Sequence, residues 1–534
     1  MKCNCFNRRL SYLVRCSLVG LFLLAGCTQQ DYKEDADEQV YRIIDQKWQD
    51  GYGSKANYKV SDTNPSAGDI QIAKQIPISG VLTLPQAIAL ATAHNREYQT
   101  QREELYIRAL DLKLTRHQFE QQYFGGFSGG YSADRDNEIL GFEANFGFNR
   151  LLAQGTQIST KIALAWAEVL TGDLRSGVSS ILSATVTQPL LRGSNRDIVL
   201  ENLTQAERDT LYQVRSFNRY RQRFVVSVIS QYYMVLLKLD AMQNAQNNSN
   251  TLASIFDQVE KLANAGRVPV IELQRISQDR LQATDAFIRA EKEYQQTLDE
   301  FKITLSLPAT ADLQLDTNEI ANLKKSQLAE PDFSQTEAIN TALLRRLDLV
   351  NSADTVVDAQ RKVTVAADSL RAELNLVGSA DASTSKRADR QTIDWTNRDY
   401  SVGLELDLPL DRVPEQHDYR KALLTLNKTQ RDYEEYVDIV KLQIRNAYRD
   451  LTEASQRYNI QNEGLELAQK RYNDTMLLLK YGRASSRRVL DAQDDLFNAQ
   501  NAATEALVDY TISTLNFYSD SGVLQVRPDG MWQL

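Results

Sequence analysis

The side chains most often used in catalysis and metal binding are sparse in this sequence. Only three histidines occur, His94, His117 and His417, and they are widely separated in polar helical patterns. A metal or catalytic site needs several such groups to converge. The sequence also contains no glycine-rich phosphate loop and no nucleophile elbow. We therefore expect no enzyme activity and no cofactor, so any energy for function must come from a partner.

A cluster of opposite charges near the C-terminal end is the other group of residues that could have a chemical role. Arg487 and Arg488 are followed by Asp491, Asp494 and Asp495. Spacings of three and four residues between these arginines and Asp491 would allow surface ion pairs along one helix, each worth about 0.2–0.5 kcal/mol. A functional role depends on the elements that position the cluster.

The first 27 residues have the features of an export signal. Four basic residues precede a short apolar run from Leu18 to Leu24, and the run continues into Ala25-Gly26-Cys27. Such a run is too short to span a bilayer. The tetrapeptide Leu-Ala-Gly-Cys resembles the bacterial lipobox, whose cysteine is lipidated after cleavage. We expect residues 1–26 to be a lipoprotein signal peptide and Cys27 the lipidated residue; the alternative is an ordinary secretory signal with an incidental cysteine.

Composition narrows the class of protein further. All four cysteines lie at or before position 27, so the mature chain has no pair to form a disulfide. Glycine (23) and proline (10) are scarce, which favours long helices. Removal of four basic and no acidic residues changes the formal charge from −9 to −13. This charge argues against binding to nucleic acid.

Helical periodicity extends over most of the chain. Proline breaks at Pro308 and Pro331 separate two long helical regions. The polar stretch before them predicts an extended arm with a short helical patch near Tyr41 to Trp48. The predicted divisions are an N-terminal arm (27–80), a first structural repeat (81–307), a linker (308–331), a second structural repeat (332–523) and a C-terminal tail (524–534).

A Gly-Arg pair interrupts the helical pattern twice. An offset of 216 residues aligns Gly266 with Gly482 and Arg267 with Arg483, together with tyrosines and phenylalanines on both sides. Between 411 and 480 the apolar spacing alternates between three and four residues, as in coiled coils. A helix of this length would measure about 105 Å at 1.5 Å per residue. We therefore expect two elongated halves, in which each helix packs on two neighbours.

Other segments alternate apolar and polar residues with a period of two. The clearest are 139–149 and 400–410, and weaker examples are 156–166 and 181–191. They predict strand insertions at about 124–191 and 374–410. Each insertion lies between helices that leave from one end, so the strand number should be even: two or four in the first half, and two in the second. One alternative is a soluble sandwich. The aromatic residues favour membrane strands, and several chains would then have to close them, because open edges are costly in lipid.

Taken in order, these features resemble the TolC-like outer-membrane channels of efflux and type I secretion. The resemblance rests on the lipobox, the duplicated halves, the strand ends 187–193 and 407–412, and the glycine turns, and it covers about residues 80–523. It implies a mainly α protein with membrane β: a homotrimer whose shared β-barrel continues into an α-helical coiled-coil tunnel. The implied partners are a periplasmic adaptor, an inner-membrane transporter and outer-membrane lipid.

The resemblance also assigns roles to particular residues. It makes Gly266, Arg267, Gly482 and Arg483 the turns at the periplasmic tip, where an adaptor would dock. Acidic residues after the second turn narrow the entrance in this family. Asp491 matches such a position, whereas Arg488 stands where a second acid is usual, so we expect the cluster from Arg487 to Asp495 to form a mixed-charge gate.

The expected function is a passive exit channel that carries solutes or polypeptides from an inner-membrane pump to the exterior. The main alternative is a lipid-anchored periplasmic coiled-coil adaptor or spacer without a pore, and a lipoprotein hydrolase is a third. The first-half strand region is about 30 residues longer than its counterpart. An extra hairpin there would either enlarge the barrel or project outside the cell, and the sequence leaves both open.

Overall fold

The computed structural model describes most of the chain after the signal segment. It covers residues 28–52, 55, 57–60, 81–133, 138–169, 175–325, 334–383, 398–408, 410–481, 483–527 and 532–533. Cys27 and Gly482 lie outside the described residues, as do the signal peptide and parts of the predicted arm, linker and tail.

The first half of the chain passes from helices through four strands to two long helices. Its elements are α1 (Gln29–Lys47), β1 (Val81–Leu82), α2 (Leu84–His94), α3 (Arg96–His117), β2 (Gln122–Ala133), β3 (Glu138–Leu151), β4 (Gln157–Val169), β5 (Arg175–Pro189), α4 (Arg196–Val199), α5 (Glu201–Asn264), α6 (Val270–Thr304), β6 (Gln314–Leu315) and α7 (Asn318–Lys325).

In its described residues, the second half repeats the order of two helices, a strand region and two long helices, with two strands in place of four. Its elements are α8 (Gln335–Arg345), α9 (Leu347–Asp368), β7 (Glu373–Ser383), β8 (Arg398–Asp407), α10 (Val413–Lys480), α11 (Ser486–Asp520), β9 (Gln525–Val526) and β10 (Trp532–Gln533). The even strand numbers are those expected from the sequence, with four chosen over two in the first half.

Two helices are far longer than a globular domain is wide. Helix α5 has 64 residues and α10 has 68, which correspond to about 96 and 102 Å. Each is followed by a 35-residue helix, α6 or α11, that returns alongside it. The predicted helix at 411–480 is confirmed, with its start at Val413.

The apolar spacing predicted in α10 identifies its inner face. Val440, Ile444, Leu451 and Ala454 are buried, and they form a core with Tyr510 and other residues of α8 and α11. Helix α5 is much more enclosed and carries Phe217, Tyr232 and many other buried side chains. It alone among the described helices has the length and apolar composition to cross a membrane, and half of that stretch is buried in the protein, as in a core helix.

The N-terminal segment differs from the extended arm that the sequence predicted. Residues 29–47 form the 19-residue helix α1, which begins with a capping box between Thr28 and Asp31. Val40, Ile43 and Ile44 are buried on one of its faces. The helix begins upstream of the predicted patch because this buried face packs against α3 and α5. That packing stabilises the polar first turns, whose own helical pattern is weak.

Buried charges join the two halves of the chain. The Asp348 carboxylate accepts hydrogen bonds from Arg346 Nε (3.1 Å, to Oδ1) and Nη2 (2.7 Å, to Oδ2) and from the Tyr436 hydroxyl (2.9 Å, to Oδ2). Arg219 of α5 lies 3.8 Å from the same carboxylate and 3.0 Å from Asp520. One carboxylate thus links α5, the start of α9 and α10.

The six long strands form one antiparallel sheet. Its order is β2-β3-β4-β5-β7-β8, so the hairpins of the two halves meet where β5 pairs with β7. Within the described residues, the other sheets are the two-stranded pairs β1–β6 and β9–β10. The sheet lies at one end of the helices because α3, α4, α9 and α10 all begin or end next to its strands.

Candidate functional site

The first Gly-Arg turn reverses the chain between α5 and α6. Gly266 has φ +70°, a left-handed conformation that L side chains rarely adopt. Its N–H donates to the Ala263 carbonyl (2.9 Å), and the Arg267 N–H donates to the Leu262 carbonyl (2.9 Å). These two bonds make a Schellman motif. A Cβ added at Gly266 would meet no atom beyond its chain neighbours within 4 Å, so backbone conformation rather than crowding requires glycine.

The second turn has the same hydrogen bond where the structure describes it. The Arg483 N–H donates to the Leu478 carbonyl at 2.8 Å, and both residues lie 216 positions after their counterparts in the first turn. Gly482 itself is outside the described residues. The bond shows that α10 ends with the same chain reversal as α5.

A small apolar core brings the two turns to one end of the molecule. It contains Val259 from α5, Ile276 from α6, and Val489 and Leu490 from α11, with Leu479 of α10 packed against it. Large apolar side chains also remain exposed beside the turns: Val270, Ile271 and Tyr481 are each about two-thirds exposed. We call this end, formed by residues 259–279, 476–481 and 483–495, the tip.

The charged cluster predicted after the second turn is exposed at the tip, and its members have different neighbours. Asp494 and Asp491 lie near Asp279 of α6. Partial burial, followed by the charges of Asp279, Asp491 and Asp495, raises the pKa of the Asp494 carboxyl. Burial and the charge of Asp491 also raise the pKa of Asp279, although Arg275 opposes the shift. Carboxylates from two helices therefore lie close together, Asp279 from α6 and Asp491 and Asp494 from α11.

The remaining members of the cluster do not form the ion pairs that the spacing allowed. Asp495 is paired with Arg471 of α10. In the described part of the chain, no carboxylate lies within 4 Å of the side chains of Arg487 or Arg488. Both arginines are exposed. They are therefore available to a neighbouring molecule.

Asp279 of α6 is a further charged residue of this site that the sequence pattern of α11 does not indicate. The 216-residue offset that aligns the glycine turns places Asp279 opposite Asp495. Inspection of charged residues at that offset would have drawn attention to it. Its proximity to Asp491 and Asp494 depends on the packing of α6 near α11.

Cross-strand pairing places alternate residues of the whole sheet on one apolar face. A row of direct partners crosses it from Tyr123 through Phe148 and Thr160 to Tyr400. Most of the exposed large apolar side chains of the sheet share this face: Tyr123, Phe127, Tyr131, Phe142, Phe146, Ile162, Leu164, Val186, Leu376, Tyr400, Val402, Leu404 and Leu406. No second sheet covers them in the described part of the chain, so these residues do not form a sandwich.

The opposite face of the sheet is polar. It carries Ser128, Glu143 and Lys161 on the first-half strands, and Asp381 and Glu405 on the second-half strands. Strands of 10 to 15 residues are long enough to cross a bilayer when tilted. An apolar outer face with a polar inner face is the arrangement of a membrane β-barrel.

Both edges of the sheet are open. Within the described residues, β2 pairs only with β3, and β8 pairs only with β7. An open edge leaves backbone donors and acceptors without partners, which is costly in lipid. The sheet of one chain is therefore not closed by itself.

The comparisons with known proteins agree with this geometry. Residues 338–522 match the family model of outer membrane efflux proteins. Solved structures of similar fold include the outer-membrane channel OprN, with 14% identity, a TM-score of 0.59, and coverage of 88% of this chain and 95% of that chain. The predicted resemblance to the TolC-like outer-membrane channels is confirmed.

Two further solved structures share this TolC-like fold. The Campylobacter jejuni CmeC outer membrane channel has 16% identity and a TM-score of 0.58, and the match covers 88% of this chain and 91% of that chain. The open state of the Neisseria gonorrhoeae MtrE outer membrane channel has 15% identity and a TM-score of 0.58, with 82% and 89% covered. No curated protein matches the chain by sequence.

Proposed function

We propose that the protein is a passive exit channel in the outer membrane, which receives solutes or polypeptides from an inner-membrane transporter through a periplasmic adaptor. The single observation that carries this proposal is the six-stranded sheet with one apolar face, one polar face and two open edges. Other copies of the chain satisfy the edges, lipid covers the apolar face, and the polar face surrounds water.

The helices support assembly into a tunnel. Helix α10 buries only four residues along 68 positions, and it exposes Leu424, Leu442, Ile460 and Leu467, each at least half exposed. Apolar residues spread along an exposed helix need a covering surface. In a homotrimer, α10 of one copy would pack against helices of the next copy and continue the wall of the barrel into the periplasm.

The lipid anchor is part of the same proposal. We place a thioether-linked diacylglycerol on Cys27, directly before the Thr28 cap of α1. Helix α1 packs against α3 and α5, where Lys47 pairs with Glu207. The chain between the anchor and the helical body is therefore short.

The tip is the proposed docking and gating end. Its exposed Val270, Ile271 and Tyr481 provide apolar contacts for an adaptor next to the Gly-Arg turns. Around a threefold axis, three copies of Arg487 and Arg488 would face three copies of Asp491 and Asp494. Intersubunit pairs between them would hold the entrance closed, and Arg471–Asp495 pairs would hold α10 against α11 within each copy.

The experiment is planar-bilayer conductance of the purified protein and of Arg488→Ala and Asp491→Ala. We expect small, mostly closed currents in the wild type and larger open probability in both variants, because each removes one partner of the gate. Asp418→Ala on α10 is the matched control, since its pair with Lys421 is exposed and far from the tip. Absence of conductance from all four proteins would reject the channel, whereas unchanged currents in the two tip variants would reject the gate alone.

A further inference from the structure

The first half of the chain contributes two hairpins to the sheet, whereas the second half contributes one. The additional hairpin, β2–β3, is hydrogen-bonded into the sheet along its length. Strand β2 pairs with β3 continuously from Gln122–Asn149 to Ala133–Glu138, and β3 pairs with β4 from Leu151–Gln157 to Ile139–Val169. A hairpin projecting away from the wall would leave the adjacent ladder β3–β4 incomplete.

The two faces of the sheet also continue through this hairpin. Phe127 and Phe146 are exposed on the apolar face, and Ser128 and Glu143 are direct partners on the polar face. A segment surrounded by water on both sides has no physical requirement for this alternation. The pattern therefore indicates lipid on one side and water on the other.

The turn between β3 and β4 fixes the level at which the hairpin begins. The Leu152 N–H donates to the Thr156 carbonyl at 2.9 Å, and Gln188 Nε2 of β5 donates to the Gln154 carbonyl at 3.3 Å. Gly155 has φ +80°, and a Cβ there would lie 2.7 Å from the carbonyl oxygen of Gly193. The turn is thus packed against the junction of β5 and the helices, at the same membrane boundary as the other strand ends.

We propose that three copies close a barrel of 18 strands in which β8 of one copy pairs with β2 of the next. The proposal rests on the trimeric channel proposed above. Strands β2 and β8 run in opposite directions because the sheet has six antiparallel strands, so the closing pair is antiparallel like all the others. No strand is left without a partner on either side.

The additional hairpin widens the exit. With strands about 4.8 Å apart and tilted by about 40°, 18 strands enclose a diameter of about 36 Å between backbones, compared with about 24 Å if each half supplied one hairpin. On the inner face of β2, the three residues that follow Phe124 are Gly126, Ser128 and Gly130, which take little of this width. The barrel accordingly admits hydrophilic cargo of polymer size, and the tip rather than the barrel selects by size.

Cysteine cross-linking distinguishes a barrel in which β8 pairs with β2 of the next copy (18 strands) from one in which β8 pairs with β4 (12 strands). All native cysteines lie at or before position 27, so introduced thiols report without interference. Ser401→Cys on β8 is combined in turn with Ser128→Cys or Ser132→Cys on β2, and with Ser159→Cys or Ala165→Cys on β4. Two positions per strand allow for the stagger between neighbouring chains, and all of these side chains lie on the polar face.

We expect a β2 combination to convert monomers into covalent trimers on a non-reducing gel, with nearly complete loss of the monomer band and its return with reductant, because paired strands bring Cα atoms within disulfide range. Trimers formed through β4 would overturn the 18-stranded closure and leave the channel intact, since β2 and β3 would then lie outside the wall. Failure of every combination, together with a monomeric mass in detergent, would overturn the channel as well.

Exclusion of polyethylene glycols from one side of a bilayer gives a second measurement on the wild-type protein. Polymers of about 10 Å hydrodynamic radius added at the barrel side should enter and lower the conductance, because the enclosed width is about 36 Å. The same polymers at the tip side should have no effect. Exclusion at the barrel side of polymers of that size would contradict the wide exit.

Discussion

Loss of the charge on Asp348 should destabilise the junction between the two halves of the chain. In Asp348→Asn, the guanidinium of Arg346, whose side chain has no exposed surface, loses the carboxylate that it contacts through two nitrogens at 3.1 and 2.7 Å. Removal of one partner of a buried ion pair costs about 3–5 kcal/mol. An unfolding entropy of about 2.1 cal/mol/K per residue over 534 residues converts this into a fall of about 3–5 °C in the melting temperature.

The stability that Asp348 contributes should depend on pH in a definite direction. Burial alone would raise the pKa of the Asp348 carboxyl, but the hydrogen bonds and charge of Arg346, followed by Arg219 and Tyr436, hold that pKa well below its ordinary value of 3.8. A carboxyl with a depressed pKa contributes stability above its unfolded-state value, and the contribution is lost as the pH falls through the folded-state value. The gap between wild type and variant should be constant near neutral pH and shrink below about pH 4.

Calorimetric melts of the detergent-solubilised protein between pH 3 and pH 8 measure both effects. Asp418→Asn is the matched control because Asp418 and Lys421 form an exposed pair with side chains 67% and 76% accessible. Such pairs contribute about 0–1 kcal/mol, so that melting temperature should change by less than about 1 °C. Equal shifts in the two variants, or a gap for Asp348→Asn that persists unchanged to pH 3, would refute the reasoning.

Three further predictions concern the membrane face, the anchor and the tip. Leu404→Arg should lower the yield of assembled protein in the outer membrane, because a charge on the lipid face costs about 2–4 kcal/mol near the midplane, whereas Glu405→Arg on the adjacent inner face should leave the yield unchanged; comparable yields would contradict the assigned faces. Cys27→Ser should abolish incorporation of labelled palmitate, and retained label would show that the acyl chain is attached elsewhere. Gly266→Ala should accelerate amide exchange at the first turn, since a left-handed alanine costs about 1 kcal/mol, and exchange rates identical to the wild type would contradict the strain argument.

The long helices and their turns were predictable from the sequence because their signals are local. The three- and four-residue spacing of Val440, Ile444 and Leu451 predicts one buried face of α10, and these side chains are buried. Gly266 in a left-handed conformation explains the break after α5. Strand β2 was not recognised as a separate strand, because glycines such as Gly125 and Gly129 occupy apolar-face positions and hide the alternation.

The candidate gate was predictable only in part. The sequence identified the charges between Arg487 and Asp495, and it allowed either surface pairs of the two arginines with Asp491 along one helix or a mixed-charge gate. In the structure, Asp495 is paired with Arg471 of α10, and Asp491 and Asp494 lie near Asp279 of α6. These partners come from helices distant in the sequence, so no spacing within α11 could indicate them.

The sequence by itself determined the long helices, the main strand segments and the points where the long helices reverse, and it required two or four strands in the first half and two in the second. These properties depend on side-chain periodicity and on local backbone preferences, which act over a few residues. Only the tertiary structure decided that there are four strands in the first half, that β5 pairs with β7, and that the α1 segment is helical. Strand order and helix packing arise from contacts between distant residues, whose free energy depends on burial and hydrogen bonding that no single segment contains.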